Sequence, residues 1–493
     1  VSSATKSLEN YKLQYRALRD LMDTLADTRF IVWTLAPLHR LATSTTHAAN
    51  ARAFVDWVRG EWLSEDGKSH PNIAVFDFWG YAAEENTGTS TGQGPVNTLR
   101  YEYEKSHSSS DSHPNQTANE AIGPRFAEFI VETIEGANLE EGRVLRVPEA
   151  YATIAEAADA AEDADTVEIA AGTYTGSEIV ATWPQNDLTL RGVGGQALLD
   201  ADGVVLANGK AIWVTTGDNI TIENIAFSNA TVPDQNGAGI RSEGDRLTVR
   251  HCLFRDNETG ILTSNNGREE ILIEYCEFDH NGLGSPGYTH NIYVGRAASF
   301  TLRGSYSHHA LHGHNVKSRA AENHILYNRI MDEEDGQSSY LVDLPEGGLS
   351  FLIGNILHQG AQAENSAMIS YAAEGALNAV QELYVSANSF VNERAAGDGV
   401  NLAASSLAHF ENNLFAGIET AINGTPSVFR GNLTADASGF SDVELFDFHL
   451  TAASTAIDAG LPSSSTQEVD LAPVYEYQHP LALKTRDSDG ALD

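Results

Sequence analysis

The pattern of apolar and polar positions changes character near residue 140. Before it, residues 12–26 carry Leu13, Leu18, Leu21, Met22 and Leu25 as a stripe at helical spacing. The apolar run FIVWTLAPL (30–38) reads as a buried strand, residues 48–63 as a second helix, and NIAVFDFWG (72–80) as a second strand. A loop rich in Ser, Thr, Gly and Asn leads to a last helix over 119–134. Alternating helices and strands predict a parallel sheet with covering helices for residues 1–140.

Beyond residue 143 the rhythm shortens. YATIAEAADAAEDADTVEIAAGTY (151–174) places Ile154, Ala157, Ala158 and Ala161 on one helical face, followed by a strand. One short strand then recurs with turn residues between its copies, among them ITIENIAF, LTVRHCLF, ILIEYCEF, FTLRGSYS, HILYNRIM, SFLIGNIL and LYVSANSF. Aligned, the copies set Val193, Ile225, Cys252, Cys276, Ser305, Asn328, Asn355, Asn388, Asn413 and Asn432 in one column, spaced by about 27 residues on average. Units of that size cannot bury an apolar face alone, so they predict coils of a parallel β-helix stacked about 4.8 Å apart. The asparagine run predicts an interior ladder of side-chain amides. Cys252 and Cys276 share that column on adjacent coils, either as stacked buried thiols or as a disulfide.

Charge narrows the partners. The 68 acidic against 30 basic residues give a formal charge of −38, which argues against nucleic acid. Such a charge suits salty or extracellular surroundings, or carboxylates that attract cations. No apolar run reaches the roughly 18–20 residues of a membrane span, so no transmembrane segment is expected. Two cysteines leave no disulfide framework and no thiolate metal cluster. The opening at Val1 and the tail DSDGALD are expected to be cut ends of a longer protein.

Two resemblances follow from these residues. The loop SDSHPNQTAN (110–119) resembles the C-terminal block of SGNH (GDSL-type) hydrolases, which implies that Asp111 orients His113 as general base for a serine. One residue, Ser112, stands between Asp and His where that family has two, and the Ser-bearing GDS block, the Gly block and the Asn block are missing. A base without a nucleophile performs no acyl transfer, so residues 1–140 are expected to be a partial α/β domain of this kind without esterase activity. The second segment resembles right-handed parallel β-helices of the pectate-lyase type, through its capping helix, its coils and the closing stretch FHLTAASTAIDAGLP (448–462). The layout expected is mainly β: a partial SGNH-like α/β domain over 1–140, a right-handed parallel β-helix over 141–462, and a tail over 463–493 packing on or capping it.

Candidate chemistry concentrates in SHHALHGHNVKSR (307–319), which the coil alignment divides. His309 shares a turn column with Asn229, Asp256, His280, Asp332, Gln359 and Asn392, and reads with His308 as solvated turn polarity. HNVKS (314–318) echoes HNIYV (290–294) 24 residues earlier. Alternation points Ile292, Val294, Val316 and Ser318 inward, and Asn291, Tyr293, Asn315 and Lys317 outward. SYLVDLP (339–345) adds Asp343 to the Tyr293–Lys317 column, flanked by His290, His312, His314, Arg296 and Arg319. A lysine beside Tyr and His is a candidate base, and arginines suit a substrate carboxylate.

NVKSRAAENHILYNRI (315–330) is similar to the lysine-bearing coil of the lyases that act on alginate and dermatan sulfate. The similarity implies Lys317 in the base position; if the chain is an enzyme, Tyr293 is expected to donate or relay the proton, Arg319 and Arg296 to hold carboxylates, and His314 to orient the site. His290, Asn291, Asn315, His312 and Asp343 would line the substrate. Where that family has a catalytic arginine on the next coil, this chain offers Val342 or Asp343. Glycan binding without chemistry and a structural polar face remain open for the same residues. No metal site is expected at His290, His312 and His314, because no cysteine or aimed carboxylate completes one. The acidic run DEEDG (332–336) suits either Ca²⁺ or a solvated turn, and no other cofactor is expected.

The expectation is an extracellular or cell-surface protein whose partner is a polysaccharide, acting as a lyase or epimerase of a uronate-type glycan or binding it. The alternative is a non-catalytic structural or adhesive rod capable of self-assembly. The negative charge favours the rod, since it repels a polyanion unless Ca²⁺ bridges the two.

Overall fold

The computed structural model describes residues 7–25, 28–68, 70–84, 96–136, 142–284, 287–405, 407–435, 439–466 and 469–486. The chain divides into two compact units, Val1–Glu140 and Glu141–Asp493. No helix among the described residues is long and apolar enough to cross a membrane.

In the first unit, strands Phe30–Trp33 and Ile73–Phe76 pair in parallel, with helices Leu8–Met22, Thr45–Gly60 and Gln116–Gly136 around them. The helices start four, three and three residues before the expected positions 12, 48 and 119, because a cap rather than a core residue sets the start. The hydroxyls of Ser7 and Ser44 accept from the amides of Asn10 and His47, and Asn115 Oδ1 accepts from Ala118. Those N–H groups have no partner within the helix. Phe54, Trp57, Trp62 and Ile73 form one core cluster, and Phe76, Phe78, Leu99 and Ile122 another.

The second unit is a β-helix. Helix Ile154–Ala160 stands at its start, capped by the Thr153 hydroxyl, with Ile154, Ala157 and Ala158 buried against the first strands. Successive coils feed a 10-stranded parallel sheet and a 21-stranded one. One coil runs Ala238–Ser242 in the first sheet, then Arg246–Arg250 and Leu253–Arg255 in the second. The repeated stretch expected to be a single strand is therefore two strands meeting at a corner. The corner is a residue in the left-handed region just before each ladder position: His251, Tyr275, Gly304, Tyr327, Gly354, Ala387, Asn412 and Gly431 all have φ between 52° and 66°.

The ladder residue closes each corner. Asn328 donates to Asn355, Asn355 to Asn388, Asn388 to Asn413 and Asn413 to Asn432, with Nδ2···Oδ1 distances of 2.8–3.0 Å. Each Oδ1 also accepts the backbone amide of the preceding ladder residue, as Asn388 Oδ1 does from Asn355 N at 2.9 Å. The amides thus satisfy polar groups that the dry core cannot. Ser305 and Cys276 continue the column with weaker acceptors, and both thiols are free and buried. Phe227, Phe254 and Phe278 stack behind it at 5.2 and 4.8 Å.

The tail folds back along the coils. Its hairpin, Tyr475–Gln478 with Ala482–Thr485, is docked by Val474 N donating to Tyr327 Oη at 3.0 Å and by His479 edge-on to Tyr306 at 5.1 Å.

Candidate functional site

Sheet register, not proximity in sequence, assembles the site. In the 10-stranded sheet Leu262 pairs with Tyr293, Tyr293 with Lys317, Lys317 with Asp343, and Asp343 with Ser370. Neighbours in this column lie on adjacent coils, while Ile292, Val316, Val342 and Ile369 form the parallel column that fills the core. A second outer position pairs His314 with Tyr340, and the ring of His290 stacks on His314 at 5.0 Å.

Backbone amides decide the tautomers of both rings. His314 N donates to His290 Nδ1 at 3.1 Å, and Tyr340 N donates to His314 Nδ1 at 3.2 Å. Each Nδ1 is an acceptor, so each proton sits on Nε2. His314 Nε2 lies 3.3 Å from Asp343 Oδ2, an oxygen it shares with Lys317 Nζ at 3.2 Å. Burial pushes His290 down to about 3, with Lys317 and Arg319 adding to it. Burial likewise holds His314 well below its ordinary value, helped by His290 and Lys317. Both rings are therefore neutral and act as dipoles rather than cations. Burial raises the Asp343 carboxyl, against the pull of Lys317.

The arginines are placed by the turns that follow the strands. Arg296 forms two hydrogen bonds to Glu346, at 2.8 and 2.9 Å, and Arg319 Nη1 donates to the same carboxylate at 2.9 Å. Arg319 Nε donates to Tyr293 Oη at 3.1 Å, and its Nη2 to Glu374 at 2.6 Å. Glu374 also accepts from Lys317 Nζ at 3.4 Å. Burial works against the charge of Arg319, yet Glu374 and Tyr293 hold its pKa above the ordinary value. The Arg296 hydrogen bond, opposed by burial and helped by Arg319, lowers Glu346. Lys317, Arg296 and Arg319 are thus matched by Asp343, Glu346 and Glu374.

Several expectations change. Asn291 and Asn315 do not face a substrate: both are fully buried and point inward. Asn291 Nδ2 donates to Asn315 Oδ1 at 3.0 Å, and Asn315 Nδ2 to Asp332 Oδ1 at 3.3 Å. A break in strand alternation at these positions turns them into a second interior ladder that includes Asn257 and Asn281. His312 is half-buried and pairs with Glu364 at 3.5 Å, apart from the Lys317 column. Arg296 and Arg319, expected to be open to a substrate carboxylate, already hold Glu346.

His308 is buried, not solvated, because Tyr306 stacks on its ring at 3.8 Å. In DEEDG, Asp332 faces the interior, pushed up to about 6 by burial, while Glu333 and Asp335 both reach His309. Glu333 rather than Asp332 takes the left-handed turn position.

Glu346, Glu374 and Tyr340 were not singled out from the sequence. The two glutamates lie in PEGG and AEGA turns outside any repeated strand, so the coil alignment gave no register for them. In the first unit, His113 Nδ1 lies 2.6 Å from Asp111 Oδ1, with the imidazole largely in solvent.

Residues 194–343, which include Tyr293, Lys317 and Asp343, match the family profile described as right handed beta helix region. No curated protein sequence matches the chain. Among solved structures, a pectate lyase aligns with a TM-score of 0.48 at 14% identity, covering 69% of this chain and 98% of its own. An alginate lyase from a Paenibacillus species gives 0.39 at 16% identity, over 59% and 99%. The A-module of a mannuronan C-5 epimerase from Azotobacter vinelandii gives 0.31 at 14%, over 57% and 92%. The second unit is a right-handed parallel β-helix.

Proposed function

We propose that the chain is an extracellular protein acting on an acidic polysaccharide, and that the column Tyr293–Lys317–Asp343 takes a proton from a uronate residue. The observation that carries the reading is the bridge made by Glu374. One half-exposed carboxylate spans Lys317 Nζ at 3.4 Å and Arg319 Nη2 at 2.6 Å. A uronate carboxylate has the same shape and charge and would take its place. With Glu374 displaced, Lys317 lies against the sugar, hands its own proton to Asp343 3.2 Å away, and as the free amine takes the proton α to the carboxylate, with His314 orienting the pair. Removal of the proton α to the carboxylate then leads to two outcomes. Expulsion of the 4-linked oxygen with formation of a C4–C5 double bond is elimination; return of a proton to the opposite face is epimerisation.

The test is incubation of the full chain with a panel of uronate polymers in deuterated water. Near-ultraviolet absorbance reads the unsaturated product, and magnetic resonance reads deuterium at C5. Activity on one polymer, lost in Lys317→Ala, supports the proposal; neither signal on any polymer overturns it. A second reading, glycan binding without chemistry, is favoured by the matching of all three cations with carboxylates. Binding of a polymer that is unchanged in Lys317→Ala and without turnover selects it.

A further inference from the structure

Another convergence of titratable side chains lies at the turns that follow strands Glu277–Asp279 and Tyr306–His308. His280 and His309 hold equivalent left-handed positions on successive coils, with φ of 52° and 47°. Their rings stack 4.4 Å apart. His308, the residue before His309, is buried beneath Tyr306.

The partners of each ring decide which nitrogen carries the proton. His308 Nε2 is 3.2 Å from Glu277 Oε1. His309 Nε2 is 3.4 Å from Glu333 Oε2 and 3.6 Å from Asp335 Oδ1. His280 Nε2 is 3.7 Å from Asp335 Oδ2. The outer nitrogens of His308 and His309 face carboxylates and take the N–H, which turns their Nδ1 lone pairs inward. His280 meets a carboxylate at both nitrogens, Asp335 at Nε2 and Asp279 at Nδ1, and offers Nδ1 as a ligand once its proton sits on Nε2.

All three Nδ1 atoms gather on one oxygen. Asp279 Oδ1 touches His280 Nδ1 and lies 3.4 Å from His308 Nδ1 and 3.6 Å from His309 Nδ1. The Nδ1 atoms of His308 and His309 face each other at 2.5 Å. Arg255 is engaged with the opposite oxygen of Asp279, at 2.7 Å. Four potential ligand atoms therefore lie around Asp279 Oδ1, and the nearby guanidinium is on the wrong side to serve them.

We propose that this place is a divalent transition-metal site of the zinc class, with Asp279, His280 and His309 as ligands and His308 as the fourth. Asp279, His280 and His309 offer atoms that all lie within 4.8 Å of one another, a spread that an ion with bonds of about 2.0–2.2 Å draws together. The carboxylates on the outer nitrogens are the second layer that fixes tautomer and raises basicity in such sites. Three imidazoles with one carboxylate select Zn²⁺, Ni²⁺, Co²⁺ or Cu²⁺ over Ca²⁺ and Mg²⁺. The ion ties the coil of Asp279 and His280 to that of His308 and His309, beside the place where His479 docks the C-terminal hairpin on Tyr306. The competing arrangement is a proton shared by the two facing Nδ1 atoms, with no metal.

The experiment uses the full chain, stripped with chelator and titrated with Zn²⁺ by calorimetry, with Co²⁺ as a spectroscopic probe. Expected are one tight equivalent of Zn²⁺ and the intense visible bands of four-coordinate Co²⁺. His309→Asn and His280→Asn should each weaken Zn²⁺ at least tenfold while keeping the native circular dichroism, since Asn tolerates the left-handed turn. His251→Asn, at another left-handed position outside the cluster, should leave affinity unchanged. Absence of stoichiometric Zn²⁺ binding in the parent chain overturns the proposal, as does binding that persists undiminished in both cluster variants.

Discussion

Lys317 Nζ lies 3.2 Å from Asp343 Oδ2, one coil along the same outward column. Both side chains are almost wholly out of solvent, so neither charge has water to fall back on. Loss of one partner from a buried pair costs about 3–5 kcal/mol, whereas replacement of both by apolar groups is nearly neutral. Lys317→Met is expected to destabilise the chain by about 3 kcal/mol, with Glu374 and His314 softening the loss. Lys317→Met combined with Asp343→Leu should recover most of it. Urea unfolding of the four members of this cycle measures the coupling, and additive effects would show that the pair is not coupled.

Glu374 makes a different kind of contact with the same lysine. Its side chain is half-exposed, so its ion pairs contribute little to stability. It nevertheless occupies the position assigned to a substrate carboxylate. Glu374→Gln should leave the unfolding midpoint within error and tighten binding of uronate oligosaccharides about tenfold, through removal of the competing charge. Calorimetry with defined oligomers checks this, and weaker binding would mean that Glu374 orders Arg319 for the ligand instead of blocking it.

The amide ladder should be the most sensitive interior feature. Asn388 accepts from Asn355 N and Nδ2 and donates to Asn413 and to the carbonyl of Leu352. Asn388→Ala removes the acceptor of the buried Asn355 N–H and of one Asn355 Nδ2 hydrogen, while Asn413 Oδ1 keeps the backbone amide of residue 388. Each such group costs about 1–3 kcal/mol, so a loss of about 3 kcal/mol or more is expected in denaturant unfolding. Asn432→Ala, at the less buried end of the run, should cost less.

The coils and the Tyr293–Lys317–Asp343 column were legible because a β-helix repeats its register, and spacing alone then aligns residues from distant coils. What broke the reading was local backbone geometry. Asn291 and Asn315 look outward by strict alternation, yet alternation breaks at both and their amides enter the interior ladder. His308 looks solvated from its column, but the Tyr306 ring and the returning C-terminal hairpin cover that face. Glu346 and Glu374 come from turns of unequal length, where spacing carries no register. In the first unit the caps Ser7, Ser44 and Asn115 set each helix start, a signal carried by polar residues that an apolar stripe does not contain.

A buried carboxyl just before strand Glu270–Glu274 sets a pH dependence. Glu269 is fully buried and accepts from the hydroxyls of Ser242 and Ser264. Burial pushes it up to about 7 from an ordinary value of 4.5, against those hydrogen bonds. Between these two values the folded chain holds a proton that the unfolded chain has released, so stability falls as pH rises through this window and levels off above it. The shift corresponds to about 3 kcal/mol. Glu269→Gln mimics the neutral form and removes this contribution. The variant should match the parent at about pH 4–5 and exceed it by about 2–3 kcal/mol at about pH 8, read as the difference between their urea-unfolding curves. That difference isolates Glu269 from other buried carboxyls such as Asp332, which titrate equally in both proteins. A gap between parent and variant that stays constant across the range would place the Glu269 proton elsewhere.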